Sequence, residues 1–128
     1  MEIDVNIDPG THLVKVPVKV NGQGPFTFDL DTGASTTTLT PQLAERLGIS
    51  THLGDRPEAR GIGGGIPTKF ADASIGIGSL EFKQDEVYVL DVNAILKTSG
   101  GREGVLGHTT LKHCTMSLSY KKARFKIS

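Results

Sequence analysis

The sequence predicts an all-β domain that also contains one or two short helices. Short apolar runs of strand length recur along the chain, Gly and Pro clusters separate them, and one segment, 40–48, carries both the start and the stop signals of a helix. With 128 residues, the chain is long enough for one hydrophobic core but leaves no room for a second lobe of the same kind. We therefore expect residues 1–128 to form a single domain.

The first third of the chain predicts strands that lead to an acidic motif. Apolar and polar residues alternate over 3–7, which predicts a half-buried strand at an edge or an interface, closed by a Pro-Gly turn at 8–10. A β-rich run over 12–20 turns at an Asn-Gly pair and returns over 26–30. This hairpin ends directly before Asp31.

The rest of the chain predicts two short helices among further strands. Thr40 and Pro41 are typical of a helix start, leucines recur four residues apart, and Gly48 is typical of a helix end. Beyond this helix, the Gly-rich residues 61–67 indicate a hairpin tip. The remaining elements are strands at 68–77, 81–82 and 87–90, a second helix from 108 to about 113, and a closing hairpin around 121–122.

Composition argues against several kinds of partner and cofactor. The 14 basic residues balance the 14 acidic ones, and no basic stripe is present, so we expect contact with neither nucleic acid nor a membrane surface. One cysteine, Cys114, can form neither an intrachain disulfide nor a paired zinc site, and we expect no metal and no organic cofactor. The sequence as given lacks a signal peptide and any apolar run near the ~18 residues of a membrane span. This favours a cytoplasmic location, while an anchored or exported parent chain stays open.

The motif Asp31-Thr32-Gly33 places an acid at the end of a predicted buried strand, beside a tight turn. Gly33 permits a turn whose backbone N–H groups point at the carboxylate, and Thr32 can reach across to brace a second copy of the loop. Two carboxyls held about 3 Å apart cannot both ionise, so one activates water as a base while the other polarises a peptide carbonyl. The motif therefore predicts peptide-bond hydrolysis; the alternative for Asp31 is a carboxylate that only caps the turn.

The chain contains a single copy of this motif, so a pair of carboxyls requires a second chain. The sequence thus predicts a symmetric homodimer whose cleft lies on the two-fold axis. The expected substrate is an extended polypeptide, bound like an added strand, with apolar side chains in alternating pockets.

These motifs resemble those of the retropepsin-like, or retroviral-type, aspartic proteases and their bacterial relatives. Members of that family have a strand leading into Asp-Thr-Gly-Ala, a Gly-rich flap, and an apolar-apolar-Gly motif before a short helix and a closing β segment. This sequence has 31–34, 61–66 and 105–107 in that order, and the resemblance spans nearly the whole chain. It implies the retropepsin-like acid protease fold, a closed, barrel-like β domain with a flap hairpin.

The resemblance also implies roles for individual residues. Asp31 would be the catalytic acid, Thr32 the brace across the dimer, and Gly33 a contact of the carboxylate and of the substrate backbone. The neighbouring substrate contacts would be Ala34 and Ser35. The flap tip, for which an ordinary hairpin tip is the alternative, would be Ile62, Gly63, Gly64, Gly65 and Ile66. Structural support beneath the catalytic loop would come from Val105, Leu106, Gly107 and His108.

Three positions leave alternatives open. Ser35 stands where the retroviral enzymes commonly have Asp, and His108 stands where they have Arg, so both partners of an ion pair are absent. Either Ser35 and His108 form a hydrogen bond instead, or His108 is simply solvated. Asp29 lies two positions before Asp31, on the same face of a regular strand. It either lines the substrate cleft, where it would disfavour acidic substrate side chains, or is an exposed strand residue.

We therefore expect an aspartic endopeptidase that is active as a homodimer. The alternative from another functional class is a dimeric peptide-binding or regulatory module on the same fold, with little or no turnover. A peptide-turnover assay that responds to a transition-state mimic separates these two functions.

Overall fold

The computed structural model describes residues 1–53, 69–95 and 101–128, except for the side chain of residue 85. The strands are β1 (Glu2–Asp4), β2 (Asn6–Ile7), β3 (Val14–Val20), β4 (Gln23–Leu30), β5 (Thr38–Leu39), β6 (His52–Leu53), β7 (Lys69–Ile77), β8 (Leu80–Val89), β9 (Gly104–Leu106), β10 (Met116–Ser119) and β11 (Arg124–Ile127). The helices are α1 (Pro41–Arg46), α2 (Val92–Ile95) and α3 (His108–Leu111). The predicted all-β class is confirmed.

Most strands belong to one eight-stranded sheet, in the order β2-β3-β4-β9-β5-β8-β7-β6. Its neighbours are antiparallel, except for the parallel pairs β4–β9 and β5–β8. The alternating pattern of β3 sends its four valines inward, where they meet Phe28, Leu39 and Ile75, each fully buried. This apolar core supports the end of β4 from below.

The sheet curls back on itself. Besides its main neighbours, β3 pairs with β7 through Lys19–Gly76 and Val20–Ile75. The predicted closed barrel is therefore approached but not formally closed: the sheet curls, and the pairing between β3 and β7 is two residue pairs long.

β9 lies between the two strands that flank the Asp-Thr-Gly loop. β4 runs parallel to β9 on one side, with Asp29 opposite Val105, and β5 runs antiparallel on the other side, with Thr38 opposite Val105. The chain thus leaves β4, passes over the end of β9 and returns as β5. This arrangement gives the loop a rigid floor.

The ends of the chain form a second sheet of three strands, in the order β1-β11-β10. Ile3 pairs with Phe125, and Leu118 pairs with Phe125 from the other side. Phe125 and Ile127 are fully buried against the main core. The predicted closing hairpin is confirmed. The single strand predicted over 3–7 is divided in the structure into β1, at an edge of this sheet, and β2, at an edge of the main sheet.

Helix α1 has the termini that its sequence predicts. The Thr40 hydroxyl accepts a hydrogen bond from the N–H of Leu43 at 3.3 Å, Pro41 opens the helix, and Gly48 follows it with φ +66°. Leu43 is fully buried, so the helix is held by its apolar face as well as by its cap.

The elements that differ from prediction are short or irregular. β8 is continuous where two strands were predicted, because a register shift opposite Ala71 and Ala73 lets the pairing with β7 resume. β5, β6 and α2, none longer than four residues, were not predicted. Among the described residues, no helix is long and apolar enough to cross a membrane.

Candidate active site

Asp31 stands directly after β4, at the start of a tight turn. The N–H of Gly33 donates to Oδ1 of Asp31 at 2.9 Å, and the N–H of Ala34 donates to the Asp31 carbonyl at 3.1 Å. The first bond orients the carboxylate and the second closes the turn. This is the amide contact that the Asp-Thr-Gly motif predicts for Gly33.

Three consecutive residues, from the last of β9 to the first of α3, bond to the loop that contains Asp31. The Asp31 N–H donates to the Leu106 carbonyl at 3.1 Å, and the His108 N–H donates to the Ala34 carbonyl at 2.8 Å. Between them, the Gly107 N–H donates to the hydroxyl of Thr37 at 3.1 Å. The structure therefore brings Leu106, Gly107 and His108 together with Asp31 and its turn.

Gly104, in β9, and Gly107, directly after it, lie so close to neighbouring residues that no side chain fits at either position. A Cβ at Gly107 would lie 2.2 Å from the Thr36 carbonyl oxygen, and one at Gly104 would lie 2.4 Å from the Phe28 ring. Real Cβ atoms do not tolerate such distances, so both positions require glycine for β9 to lie under the loop. Val105, between β4 and β5, is nearly buried.

The tip of the loop is open in the single chain. Asp31, Thr32, Gly33 and Ser35 are exposed, and Ala34 is half-buried. Each chain offers one carboxylate of this motif to solvent, at a position that a second molecule can reach.

Ser35 and His108 are both exposed, and no hydrogen bond between their side chains is present although both lie in the described part of the chain. Of the two alternatives for His108, the structure has the solvated side chain. His108 meets the loop through its backbone N–H, which bonds to Ala34.

Asp29 has surroundings that neither sequence-based alternative anticipated. It is only 4% exposed, and its carboxylate oxygens are paired separately: Oδ1 with Lys15 Nζ at 2.5 Å, and Oδ2 with Nε of Arg102. The expectation of a substrate contact or an exposed strand residue is therefore corrected. Asp29 is an internal ion-pair partner that joins β3, β4 and the segment before β9.

The sequence analysis missed Lys15 and Arg102 as partners of Asp29, and Thr37 as the acceptor for Gly107. Only the register of β3 against β4, which sets Lys15 opposite Asp29, could have indicated one of them. Arg102 is 73 positions away in sequence, and the strand crossing alone brings it close.

Two predictions concern other parts of the site. The predicted flap tip, Ile62 to Ile66, lies outside the described residues. Among the residues that are described, no group of three or more His, Cys, Asp or Glu side chains could hold a metal ion.

Comparison with known proteins gives the family that the sequence motifs resemble. The sequence family described as aspartyl protease matches residues 16–110. No curated protein sequence matches the chain significantly.

Solved structures share the fold at low sequence identity. A retropepsin-like aspartic protease from Rickettsia conorii has a TM-score of 0.65 and 21% identity, covering 98% of this chain and 88% of its own. The EIAV protease in complex with an inhibitor has a TM-score of 0.60 and 23% identity, covering 83% of this chain and 91% of its own. The retroviral protease-like domain of Ddi1 from Leishmania major has a TM-score of 0.59 and 18% identity, covering 91% and 88%. With the Asp-Thr-Gly turn lying over β9 and the family match across most of the chain, the protein belongs to the retropepsin-like aspartyl protease family.

Proposed function

We propose that the protein is an aspartic endopeptidase whose active site is shared by two copies of the chain. The observation that carries the proposal is the Asp31 carboxylate, oriented by the Gly33 amide and exposed at the end of β4 in a chain with one Asp-Thr-Gly motif. Membership of the aspartyl protease family supports the reaction class.

The chemistry follows from two carboxyls that share one proton. The ionised Asp31 takes a proton from water while the water oxygen bonds to the peptide carbonyl carbon; the protonated Asp31 of the second copy gives its proton to the carbonyl oxygen. The tetrahedral diol intermediate then breaks its C–N bond as the amine nitrogen receives a proton from the carboxyl that took one from water. At the same time the other carboxylate takes a hydroxyl proton from the diol, so the C=O of the acid product forms and the pair again shares one proton. The pair acts as a unit, so neither copy is permanently the acid or the base.

The residues around Asp31 have roles that suit this chemistry. Thr32 and Gly33 are exposed beside it, where Thr32 braces the opposite loop and Gly33 keeps the carboxylate in place. Ala34 and Ser35 would contact the peptide backbone of an extended polypeptide, and the segment from Ile62 to Ile66 would cover it as a flap. The residues from Val105 to His108 would support the loop from below.

The deciding experiment combines wild-type chains with Asp31→Asn chains. The amide nearly matches the acid in shape but cannot take a proton from water, so the pure variant should lose turnover by about a thousandfold or more while its thermal unfolding stays close to wild type. After free exchange at equal amounts, about a quarter of the dimers carry two acids, and activity per wild-type chain should fall to about half.

The same experiment tests the alternative function. Binding of a transition-state mimic by the wild type without turnover would favour a peptide-binding or regulatory module on this fold. Retained turnover in pure Asp31→Asn protein would rule out the aspartic mechanism. Activity per wild-type chain that does not respond to Asp31→Asn chains would rule out the shared site.

A further inference from the structure

A network of side-chain hydrogen bonds, part-buried at Gln84 and buried beyond it, runs from β8 to the catalytic loop. The Gln84 side-chain amide donates to the Thr110 hydroxyl at 2.5 Å, and the Thr110 and Thr37 hydroxyls are 2.6 Å apart. The Thr37 hydroxyl in turn accepts the Gly107 N–H at 3.1 Å. Three side chains, from β8, α3 and the catalytic loop, are thus linked in series, and the last of them accepts a hydrogen bond from one backbone amide.

Burial makes the loss of any of these hydrogen bonds costly. Thr37 and Thr110 are fully buried, so water does not replace a missing partner. The Thr37 backbone is fixed as well, because its N–H donates to the Thr109 hydroxyl at 2.9 Å. Removing the Thr37 hydroxyl would leave the Gly107 N–H buried without an acceptor.

The Gly107 N–H, at the end of this hydrogen-bond network, belongs to the backbone that lies under the Asp31 turn. Gly107 lies between Leu106, whose carbonyl accepts the Asp31 N–H, and His108, whose N–H holds Ala34. A shift of Gly107 would therefore move the backbone on both sides of the Asp31 carboxylate. Two carboxyls that share a proton tolerate little displacement, since a misplacement of about 1 Å can cost on the order of a hundredfold in rate.

We propose that Thr37, Thr110 and Gln84 are positioning residues for catalysis. They fix the position of Gly107 and, through the backbone on both sides of it, the position of the Asp31 carboxylate. This proposal rests on the proposed endopeptidase function. The three side chains touch neither the reacting atoms nor the peptide, so their loss should lower kcat by a larger factor than it changes KM, because the alignment of the two carboxyls is the step most sensitive to displacement.

The central test compares Thr37→Val with Thr38→Val. Valine has nearly the shape of threonine and lacks only the hydroxyl. Thr38 is the neighbouring residue, is 6% exposed, and makes no side-chain hydrogen bond within the described part of the chain, so it is a matched control. At saturating dimer, Thr37→Val should lower kcat by about 10- to 100-fold with KM within about twofold, whereas Thr38→Val should stay close to wild type. Thr37→Ser, which restores the hydroxyl, should recover most of the loss.

Coupling between Gln84 and Thr37, the two ends of the hydrogen-bond network, provides a second test. Gln84→Leu should lower kcat in the same direction as Thr37→Val but less strongly, by about 3- to 10-fold, because one hydroxyl pair still holds Gly107. The double variant should be no slower than Thr37→Val alone, since both changes interrupt one connection. Fully multiplicative effects would show that the two residues act separately and would overturn the proposal.

Amide hydrogen exchange separates failure of this proposal from failure of the proposed function. Thr37→Val should speed exchange at Gly107 relative to Thr38→Val, under conditions where both variants are folded. If the wild type turns over peptide but the two valine variants have equal kcat, or equal exchange at Gly107, the positioning role is wrong and the endopeptidase function stands. If the wild type has no turnover, the function falls and the positioning role falls with it.

Discussion

The Asp29 carboxylate lies between two cations that belong to different parts of the fold. The side chains of Asp29, Lys15 and Arg102 are 6%, 14% and 3% exposed, so all three charges are largely removed from water. Such charges are tolerated only as partners, because desolvation of an unpaired one costs several kcal/mol. The cluster therefore links β3, β4 and the segment before β9 close to the Asp31 turn.

Asp29→Asn should destabilise the protein by about 3 kcal/mol, because it leaves Lys15 and Arg102 buried beside a neutral amide. The matched control is Asp4→Asn, which breaks the exposed ion pair between Asp4 and Arg124 on the terminal sheet, with N and O atoms 2.9 Å apart. That change should cost less than about 1 kcal/mol. Urea unfolding of the two variants measures the difference, and equal losses would mean that the buried cluster adds no more than a surface pair.

Asp8 gives a pH-dependent prediction at the first turn. Its Oδ1 accepts the N–H groups of Thr11 and Gly10, at 2.9 and 2.8 Å, and these bonds lower the pKa of Asp8 from its ordinary value of 3.8. A lowered carboxyl pKa stabilises the fold above the ordinary pKa, and the stabilisation is lost as the pH falls through the folded pKa.

Asp8→Ala should therefore unfold at lower urea concentration than wild type near neutral pH, and the gap should narrow below the ordinary pKa. Asp72→Ala is the control, because Asp72 is exposed and its carboxylate has no hydrogen bond within the described residues. A gap that is the same at both ends of the pH range would show that the Asp8 charge is not involved.

For single residues, prediction from sequence succeeded where the chemistry is local. The contact of Gly33 with Asp31 follows from two residues in one turn, so the motif contains it. Asp29 was misjudged because its partners are set by strand register and strand crossing, and neither is encoded within a short motif. Thr37 and Thr110 are 73 positions apart and carry no pattern that pairs them.

Among the elements, the crossing of β9 beneath the catalytic loop decides how the site is built. Gly107 makes the crossing possible because it has no Cβ, and a Cβ at this position would clash with the Thr36 carbonyl. The backbone on both sides belongs to the catalytic loop and its floor, so it has little freedom to give way.

Gly107→Ala should destabilise the protein by about 2–3 kcal/mol and lower peptide turnover, because the new methyl group forces the loop away from its floor. Gly76→Ala is the control: Gly76 lies within β7, and a Cβ there would make an ordinary contact of 3.4 Å with the Lys19 Cβ. That change should stay within about 1 kcal/mol. Thermal unfolding and turnover of both variants test this, and equal behaviour would remove the steric argument for Gly107.

Long elements with regular patterns were predictable, and short ones were not. The hairpin of β3 and β4, helix α1 and the closing hairpin follow from period, caps and turns that lie within each segment. β5 has two residues, and its partners β8 and β9 are distant in sequence, so tertiary pairing alone creates it. The division of β8 into two predicted strands arose because a bulge interrupts the alternation that marks a strand.

At the scale of the whole molecule, the single chain is a folded scaffold that holds, under the proposed function, one carboxyl of a catalytic pair. Within the described residues, one chain forms a buried core, the strand crossing and the hydrogen bonds of the Asp31 turn without a second copy. Under the proposed function the second carboxyl comes from another copy, so stability and activity should depend on concentration in different ways.

Specific activity should fall on dilution through the range in which the proposed dimer dissociates, while the folded state of the chain persists. The reason is that a monomer keeps its core but holds one carboxyl, and a lone carboxyl cannot act as base and acid in the same step. Ser35 and His108, both exposed, replace the two partners of the ion pair common in the retroviral enzymes, and without that pair we expect dissociation to be measurable at ordinary enzyme concentrations. Turnover per chain and sedimentation, measured over the same dilution series, should change together, whereas far-ultraviolet circular dichroism should not. Turnover per chain that stays constant while the protein sediments as a monomer would show that one chain suffices, and the shared active site would then be wrong.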